Sequence, residues 1–593
     1  MEAEKKVPDM NLLKVKNLNV EFHDKRDVFC AVDNISFSVK SGRCLGIVGE
    51  SGAGKSTAML ALMNLLPDNA RVNYDSEAEM LSVRDMAMIF QDPSAYLNPS
   101  VKVGRQITET VRAHQNFTKN QAKEYGAKLL DIVGIRNPLK CFGRYPFELS
   151  GGMQQRVAIA IALACEPKLL IADEPTTALD ATIQKQILDL LKRIQEESGT
   201  AMIIVTHDLS VAATLCSDIL VMKDGKIVEE GSAHKILREP ANPYTGRLLD
   251  FAGKLNEDAE PVTEGQILLN VDNVSKQFEN YDVWYGKHYE EAVDNVSLQI
   301  KKGEIFGVVG ESGSGKTTLS KMVGGIIEPS NGVIKYKDVP VSALNQSVKK
   351  EIQMIFQHNY ASFDPRFTLF QILSEPLMYQ ADYTKSQREE LIANIINGVG
   401  LKEEDLQKYP YQFSGGQRQR IGIGRALISQ PELVICDEPV SSLDITIQGQ
   451  ILKLLKDIQQ ARGLTYLFIS HDLNVINHMC QRVGVMYFGN MVETGNTRDI
   501  YREPWHPYTK ELLNAIPEID PRKARRKKRI PLKDEGKSKD GCPYASKCGY
   551  AMKRCRSEKP KSYTFGQRSV ACFLYSEEHS GNRSTDYVMT AQI

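Results

Sequence analysis

Short apolar segments alternate with helix-periodic segments along this chain, and several apolar segments end at a polar motif. Cys44–Val48 runs into a glycine-rich turn, Leu169–Ala172 into two acids, and Met202–Val205 into Thr-His-Asp. Continuous apolar runs of this length are typical of buried parallel strands, whose carboxyl ends carry the functional groups. The pattern predicts an α/β fold. It also predicts a helix after Ser150-Gly-Gly that stops before Pro167, with apolar positions from Val157 to Leu163, and a counterpart over Arg418–Ile428 that stops before Pro431.

The pattern occurs twice. The segment GESGAGKS at 49–56 reappears as GESGSGKT at 310–317, and the later motifs recur at offsets of 264 to 266 residues. Both copies fit the P-loop pattern G-x-x-x-x-G-K-[ST], in which backbone N–H groups surround phosphates at a helix N-terminus. A tandem duplication of a nucleotide-hydrolysing module explains the repeat.

Length and composition indicate two soluble globular domains with appendages. The 593 residues exceed one domain, 42% are hydrophobic, 25% are charged, and Lys+Arg and Asp+Glu both total 74. This balance gives no argument for nucleic-acid binding. No apolar run approaches the roughly 20 residues that span a bilayer, and the start lacks a signal peptide's apolar core. These features predict a cytoplasmic chain.

Composition along the chain predicts the domain boundaries. Residues 253–265 are polar, acidic and without periodicity, which is typical of a linker, and a basic run lies at 522–529. The predicted divisions are a first ATPase domain at 1–252, a linker at 253–265, a second ATPase domain at 266–520, a basic linker at 521–541, a four-cysteine extension at 542–575 and a disordered tail at 576–593.

Each copy also carries an acidic pair after an apolar strand, Asp173-Glu174 and Asp437-Glu438. Next to a P-loop, the first acid is suited to hold magnesium and the second to polarise the water that attacks the γ-phosphate. The pairs therefore fit Walker B motifs.

The most specific feature is a Ser-Gly-Gly motif that lies at a similar distance before each acidic pair. Leu149-Ser150-Gly151-Gly152 and Phe413-Ser414-Gly415-Gly416 each precede their acidic pair by about twenty residues, and a glutamine, a Leu-Asp turn and a histidine recur in the same order. Over residues of about 12–250 and 267–515, the chain resembles the ATP-binding cassette (ABC) ATPases. The resemblance implies catalytic roles for Glu174, Glu438, His207 and His471.

In that family, the signature of one cassette closes over ATP held by the P-loop of the other. The resemblance implies two composite sites formed by pairing within the chain. Site one comprises Gly49, Ser51, Gly52, Gly54, Lys55, Ser56, Thr57, Gln91, Asp173, Glu174 and His207 with Ser414, Gly415 and Gly416. Site two comprises Gly310, Ser312, Gly313, Gly315, Lys316, Thr317, Thr318, Gln357, Asp437, Glu438 and His471 with Ser150, Gly151 and Gly152. Magnesium would be held by Ser56, Gln91, Thr317 and Gln357. Met153 departs from the glutamine found at Gln417, so the two sites are not expected to be identical.

Phe22 and Phe278 precede the P-loops, where the family places an aromatic ring under adenine. A phenylalanine near a strand is also a common core residue, so both interpretations stay open.

Further motifs resemble the dipeptide, oligopeptide and nickel importer branch. They include the loops Gln91–Pro99 and Gln357–Pro365, the repeated Pro-Tyr-Thr after Asn242 and His506, and a C-terminal extension. The resemblance implies an ATPase subunit that powers solute uptake from the cytoplasmic face of the membrane. Its partners would be two transmembrane permease subunits, docked at the two loops, and an extracytoplasmic solute-binding protein.

The extension holds Cys542, Cys548, Cys555 and Cys572, interleaved with basic residues that favour thiolates. Zinc sites usually contain C-x₂₋₄-C pairs, which are absent here, whereas the wider spacing is compatible with an iron–sulfur cluster. Free surface thiols are the alternative. The branch resemblance favours a [4Fe–4S] cluster, with Zn²⁺ second.

A different class of protein, the soluble tandem ABC ATPases that act on ribosomes or nucleic acid, is the rival interpretation. Such proteins tend to have a long charged arm between cassettes or an N-terminal cysteine-rich domain, whereas here the predicted linker is short and the cysteine cluster is C-terminal.

Overall fold

The computed structural model describes residues 10–24, 27–75, 81–177, 179–254, 265–282, 286–357, 362–378, 383–441, 443–520, 522 and 540–576. Most of the predicted linker, most of the basic run and all but the first residue of the predicted tail lie outside these ranges. The chain divides into two compact units, 1–252 with 444–446 and 515–534, and 253–443 with 447–514 and 535–593.

The first unit contains two sheets. Its strands are β1 (Asn11–His23), β2 (Val28–Lys40), β3 (Cys44–Val48), β4 (Ala70–Asn73), β5 (Met86–Ile89), β6 (Leu169–Asp173), β7 (Ala201–Thr206), β8 (Asp218–Lys223) and β9 (Lys226–Ser232). One sheet has the order β2-β1-β4, and the other has the order β5-β6-β7-β3-β8-β9. In the larger sheet, the five neighbouring strands β5, β6, β7, β3 and β8 are parallel, and β9 pairs with β8 in the antiparallel direction.

Helices connect the strands of this unit. They are α1 (Lys55–Leu62), α2 (Pro93–Tyr96), α3 (Val103–His114), α4 (Lys119–Ile132), α5 (Pro138–Phe142), α6 (Gly151–Leu163), α7 (Ala181–Ser198), α8 (Leu209–Leu215), α9 (Ala233–Arg238) and α10 (Pro243–Lys254).

The second unit repeats this plan. Its strands are β10 (Ile267–Asp282), β11 (Gly286–Lys301), β12 (Ile305–Val309), β13 (Asn331–Tyr336), β14 (Val339–Pro340), β15 (Ile352–Ile355), β16 (Leu433–Asp437), β17 (Thr465–Ile469), β18 (Arg482–Tyr487), β19 (Asn490–Asn496), β20 (Tyr563–Phe565) and β21 (Arg568–Val570). The sheets have the orders β11-β10-β13-β14 and β15-β16-β17-β12-β18-β19-β21-β20.

The helices of the second unit follow the same sequence of connections. They are α11 (Lys316–Val323), α12 (Gln346–Lys349), α13 (Leu369–Met378), α14 (Lys385–Gly398), α15 (Gly415–Leu427), α16 (Ile445–Arg462), α17 (Leu473–Met479), α18 (Thr497–Arg502), α19 (Pro507–Ala515) and α20 (Lys553–Ser557). The extension joins this unit's sheet, because Glu493 of β19 pairs with Val570 of β21.

The central parallel strands are buried on both faces. Along β6, Leu169 and Ile171 pack into one apolar cluster with β1 and β2, while Leu170 and Ala172 pack into a second cluster with α3, α6 and α7. Because successive side chains of a strand point to opposite faces of the sheet, a continuous apolar run contributes side chains to both apolar clusters. The predicted α/β fold of two P-loop units is confirmed.

The helix predicted after Ser150-Gly-Gly is α6, which ends before Pro167 as expected. Its predicted counterpart is α15, which begins three residues before Arg418 and ends before Pro431. Among the described residues, the helices are all too short or too polar to cross a bilayer.

Candidate nucleotide-hydrolysing site

The P-loop lies between β3 and α1 in the first unit and between β12 and α11 in the second. Gly54 and Gly315 cap these helices with φ of 90° and 99°, a region that L side chains rarely adopt. A Cβ at either position would lie 2.4 Å from a backbone carbonyl oxygen, of Ala31 or Ala292. The loop backbone is therefore held against the neighbouring strand.

Each P-loop lysine is bound by its own loop. Lys55 Nζ donates to the carbonyl oxygens of Gly49 at 2.8 Å and Glu50 at 2.7 Å, and Lys316 Nζ contacts those of Gly310 and Glu311 at 2.7 and 2.9 Å. Burial lowers the pKa of Lys55, against the attraction of Glu174 and Asp173. A buried ammonium with neutral acceptors is suited to bind phosphate oxygens.

The first acid of each pair lies beside the P-loop hydroxyl. Burial raises the pKa of Asp173, and a hydrogen bond with Ser56 opposes this rise. Asp173 Oδ1 is buried and has no hydrogen-bond partner among the described residues. In the second unit, Thr317 Oγ1 lies 3.5 Å from Asp437 Oδ1. An unpaired buried carboxylate oxygen beside a hydroxyl fits the oxygen ligands that Mg²⁺ prefers.

The second acid joins a histidine and a glutamine. Glu174 Oε1 lies 2.9 Å from His207 Nδ1, and Gln91 Nε2 donates to Glu174 Oε2 at 2.7 Å. In the second unit, His471 Nδ1 lies 3.1 Å from Glu438 and Gln357 donates to Glu438 at 2.7 Å. The structure brings each predicted trio together.

Electrostatics keep this glutamate ionised. Burial acts to raise the pKa of Glu174, but the hydrogen bond and charge of His207, together with Thr177 and Lys55, outweigh it, so the pKa is lowered. Burial likewise opposes charging of His207, yet Glu174 raises the histidine pKa. The pKa of Glu438 is lowered in the same way by His471. Both glutamates also have positive φ, 46° and 49°, which is uncommon outside glycine.

Thr177 is a contact that the motif analysis did not anticipate. Its hydroxyl donates to Glu174 Oε2 at 2.9 Å. At the corresponding position of the second unit, Ser441 Oγ donates to the backbone oxygen of Glu438 at 3.3 Å, and a hydrogen bond from Ser441 also acts to lower the pKa of Glu438. A hydroxyl three residues after the acid in both copies was the available signal.

The signature serines lie at helix N-termini. Ser150 Oγ accepts from Met153 N, and Ser414 Oγ accepts from Gln417 N, both at 3.4 Å. Gln417 Oε1 also accepts from Ser414 N at 3.0 Å and completes a capping box. Met153 cannot accept such a bond, so the difference between the two signatures has a structural counterpart.

The two aromatic candidates differ in their surroundings. Phe22 packs against the apolar cluster of β1 and β2, whereas Phe278 is 39% exposed with Lys276 Nζ 5.5 Å from its ring centre. The adenine contact stays a prediction for both. In the first loop predicted to dock a permease subunit, Tyr96 of α2 stacks on Phe90. Residues 358–361 of the second loop lie outside the described residues.

All four extension cysteines line one small cavity, together with His506 and Tyr544. Burial raises the pKa of Cys542 to about 11 and that of Cys572 to about 12, and the pKa of Cys548 is raised as well. In the described part of the chain, no group of three or more His, Cys, Asp or Glu side chains is arranged to hold a metal ion.

Comparison with known proteins agrees with this geometry. The ABC transporter family model matches residues 32–177 and 293–441, and the oligopeptide/dipeptide transporter C-terminal region matches 228–279 and 492–555. The glutathione import ATP-binding protein GsiA of Escherichia coli O157:H7 is 40% identical over 576 residues, which cover 88% of this chain and 92% of that protein. GsiA of Salmonella paratyphi A is 39% identical over the same shares of both chains.

Among solved structures, an archaeal ribosome recycling factor in complex with a ribosomal stalk protein is 23% identical, covers 78% of this chain and 86% of its own, and gives a TM-score of 0.53. A likeness at this identity indicates the tandem ABC fold alone.

Fold and motifs define a tandem ABC ATPase. The chain belongs to the ATP-binding, ATP-hydrolysing subunits of ABC importers, in the group that carries the oligopeptide/dipeptide transporter C-terminal region.

Proposed function

We propose that this ATPase powers the uptake of small peptides through separate membrane subunits, with glutathione as the first candidate. Support for the peptide class comes from the transporter C-terminal region matched in both halves of the chain. Support for glutathione comes from the GsiA relatives at 40% identity. The importer works with two permease subunits and a solute-binding protein, and this chain lies peripherally on the cytoplasmic face.

The solute can be tested by uptake in cells that lack their own peptide importers and express the complete transporter. Wild type should accumulate labelled glutathione or a labelled dipeptide, and a Lys55→Ala/Lys316→Ala chain should accumulate neither. Uptake of neither solute by wild type would contradict the peptide class. Recovery of ribosomal material instead of two membrane proteins with the purified chain would favour the ribosome-acting class.

The proposed catalytic sites are composite. Backbone N–H groups and a hydroxyl at a helix N-terminus are suitable donors to a γ-phosphate bound elsewhere. Ser150 and Ser414 are exposed at such termini. Site one would then use Lys55 with Ser414, and site two Lys316 with Ser150. ATP binding closes the cassette pair, and hydrolysis reopens it.

Pairs of substitutions distinguish composite from self-contained sites. In the complex with its membrane subunits, Lys55→Ala with Ser414→Arg damages only site one and should retain the activity of Lys55→Ala alone. Lys55→Ala with Ser150→Arg damages both sites and should abolish ATP hydrolysis. The opposite ranking would overturn the composite arrangement.

Mg²⁺ bound with ATP would be held by the P-loop hydroxyls of Ser56 and Thr317 and by Gln91 and Gln357, with Asp173 and Asp437 beside it. The ion would supply Lewis acidity toward the γ-phosphate. Lys55 and Lys316 orient the phosphates, and Glu174 and Glu438 accept the proton of the attacking water.

We also propose that Cys542, Cys548, Cys555 and Cys572 hold a [4Fe–4S] cluster. The four thiols line one cavity, and their spacing lacks the C-x₂₋₄-C pairs usual in zinc sites, which favours an iron–sulfur centre over Zn²⁺. Four thiolates would need the positive charge of such a centre, because burial favours their neutral form. The centre would cross-link and stabilise a small segment that has little hydrophobic core of its own.

Anaerobically purified protein should contain iron and sulfide and absorb near 400 nm, and Cys555→Ser should remove the absorbance. Zinc without iron would support the alternative metal. Protein with neither metal would leave free thiols as the correct interpretation.

A further inference from the structure

The repeated Pro-Tyr-Thr segment places a tyrosine against each P-loop. Tyr244 is the second residue of α10 and Tyr508 the second residue of α19, and both rings are buried, with 6% and 1% exposed. Glu50 N donates to Tyr244 Oη at 3.2 Å, and Glu311 N donates to Tyr508 Oη at 3.1 Å. The same contact therefore occurs in both units, across 194 and 197 residues of sequence.

The peptide unit that each tyrosine contacts is the one that holds the P-loop lysine. The N–H of Glu50 and the carbonyl of Gly49 belong to one trans peptide and point in opposite directions. Gly49 O accepts from Lys55 Nζ at 2.8 Å, and Gly310 O accepts from Lys316 Nζ at 2.7 Å. Fixing the N–H side of this rigid plane fixes the direction of the carbonyl that orients the ammonium.

Each tyrosine is itself positioned by a conserved pattern of local bonds in the two copies. Asn242 Oδ1 accepts from Tyr244 N at 2.8 Å, and His506 Nδ1 accepts from Tyr508 N at 3.1 Å. Burial lowers the pKa of His506 to about 3, so its ring is neutral and can accept. The sequence difference between Asn242 and His506 thus preserves one acceptor at the same place.

A carboxylate on β9 in the first unit and on β19 in the second holds the turn before each tyrosine. Glu229 accepts from the N–H groups of Ala241 at 2.7 Å and Asn242 at 3.2 Å. Glu493 accepts from those of Trp505 at 3.0 Å and His506 at 2.9 Å. These bonds tie the tyrosine to the sheet that also carries the P-loop.

In the second unit, the cysteine-bearing extension adds a further ring to this contact. Tyr544, between Cys542 and Cys548 in sequence, has its ring centre 5.6 Å from that of Tyr508 and 5.3 Å from that of Tyr487. Tyr487 and Tyr508 are 4.4 Å apart. In the first unit the ammonium of Lys223 lies 5.3 Å from the Tyr244 ring centre.

We propose that Tyr244 and Tyr508 are positioning residues for ATP binding, which hold the P-loop peptide that orients Lys55 and Lys316, and that the extension braces this contact in the second site through Tyr544. The inference rests on the nucleotide sites proposed above. The tyrosines act through the lysines and do not touch the nucleotide.

The test uses phenylalanine, which keeps the ring and removes only the hydroxyl that accepts from the P-loop N–H. Site two is isolated in the full chain by Lys55→Ala, and TNP-ATP is titrated with and without Tyr508→Phe. Site one is measured with Lys316→Ala and Tyr244→Phe. Loss of one hydrogen bond should weaken TNP-ATP binding about 3- to 10-fold at the affected site. In the membrane complex, KM for ATP should rise while kcat at saturation is retained.

Tyr466→Phe is the matched control, because Tyr466 is buried in the same unit and its hydroxyl donates to a backbone carbonyl, Leu455 O at 3.1 Å, away from the P-loop. It should leave TNP-ATP affinity unchanged. Equal affinities for Tyr508→Phe and its parent, or an equal loss in Tyr466→Phe, would overturn the inference. Failure of the wild-type chain to bind TNP-ATP would instead contradict the nucleotide sites themselves.

Discussion

Gly416 should be required for helix packing as well as for its predicted contact with ATP. A Cβ built on Gly416 would lie 2.5 Å from Ile447 Cγ2, closer than any normal contact, so Gly416→Ala forces α15 and α16 apart or displaces the isoleucine. Gly415 is the matched control, because its Cβ would meet Leu443 at an ordinary 3.7 Å.

The expected change in unfolding free energy for Gly416→Ala combines two opposing effects. Overpacking a core contact costs about 1–3 kcal/mol, and replacing glycine by alanine in a helix returns up to about 1 kcal/mol. Gly416→Ala should therefore lose roughly 1–2 kcal/mol of unfolding free energy, and Gly415→Ala should lose none. At about 2–4 °C per kcal/mol for a unit of this size, the melting temperature should fall by roughly 2–8 °C.

The assay is thermal unfolding of the nucleotide-free chain, so that any loss of ATP contacts does not contribute. Ile447→Leu removes the clashing Cγ2 at constant volume and should rescue part of the loss in a Gly416→Ala/Ile447→Leu double variant. Equal melting temperatures for Gly415→Ala and Gly416→Ala, or strictly additive losses in the double variant, would refute the packing argument.

Three further outcomes are expected. Glu174→Gln and Glu438→Gln should each lower steady-state ATP turnover of the membrane complex, because both glutamates have a complete set of partners; an unaltered rate in either variant would show that its site is silent. His207→Ala should move the acid limb of the kcat/KM profile to higher pH, since His207 lowers the pKa of Glu174 and burial alone raises it; a uniformly lower rate with an unmoved limb would contradict this. Tyr544→Ala should weaken TNP-ATP binding in the Lys55→Ala chain but not in the Lys316→Ala chain, and an equal effect in both would exclude a specific brace.

The sequence predicted the chemistry of the site because each motif keeps its reacting groups within a few residues. The glycine-rich turn, the acidic pair after an apolar strand and the Ser-Gly-Gly helix start all lie where the local pattern indicates. The α/β fold and the importer ATPase function are confirmed. The individual ATP contacts, the domain boundaries and the iron–sulfur cluster stay predictions.

Contacts between segments that are far apart along the chain could not be predicted from the sequence. Three contacts depend on how strands and helices pack. They are the bond of Thr177 to Glu174, the hydrogen bond of a tyrosine to each P-loop, and the cavity lined by four cysteines. The Pro-Tyr-Thr repeat indicated that the tyrosines are important, but it did not indicate which groups they contact.

By itself, then, the sequence determined which residues can do the chemistry, since residue type and short spacing fix the groups available at one turn. Only the tertiary structure decided what orients those groups. A peptide plane such as Gly49–Glu50 is held from both sides by side chains that are close in space and, for the tyrosine, nearly 200 residues away along the chain.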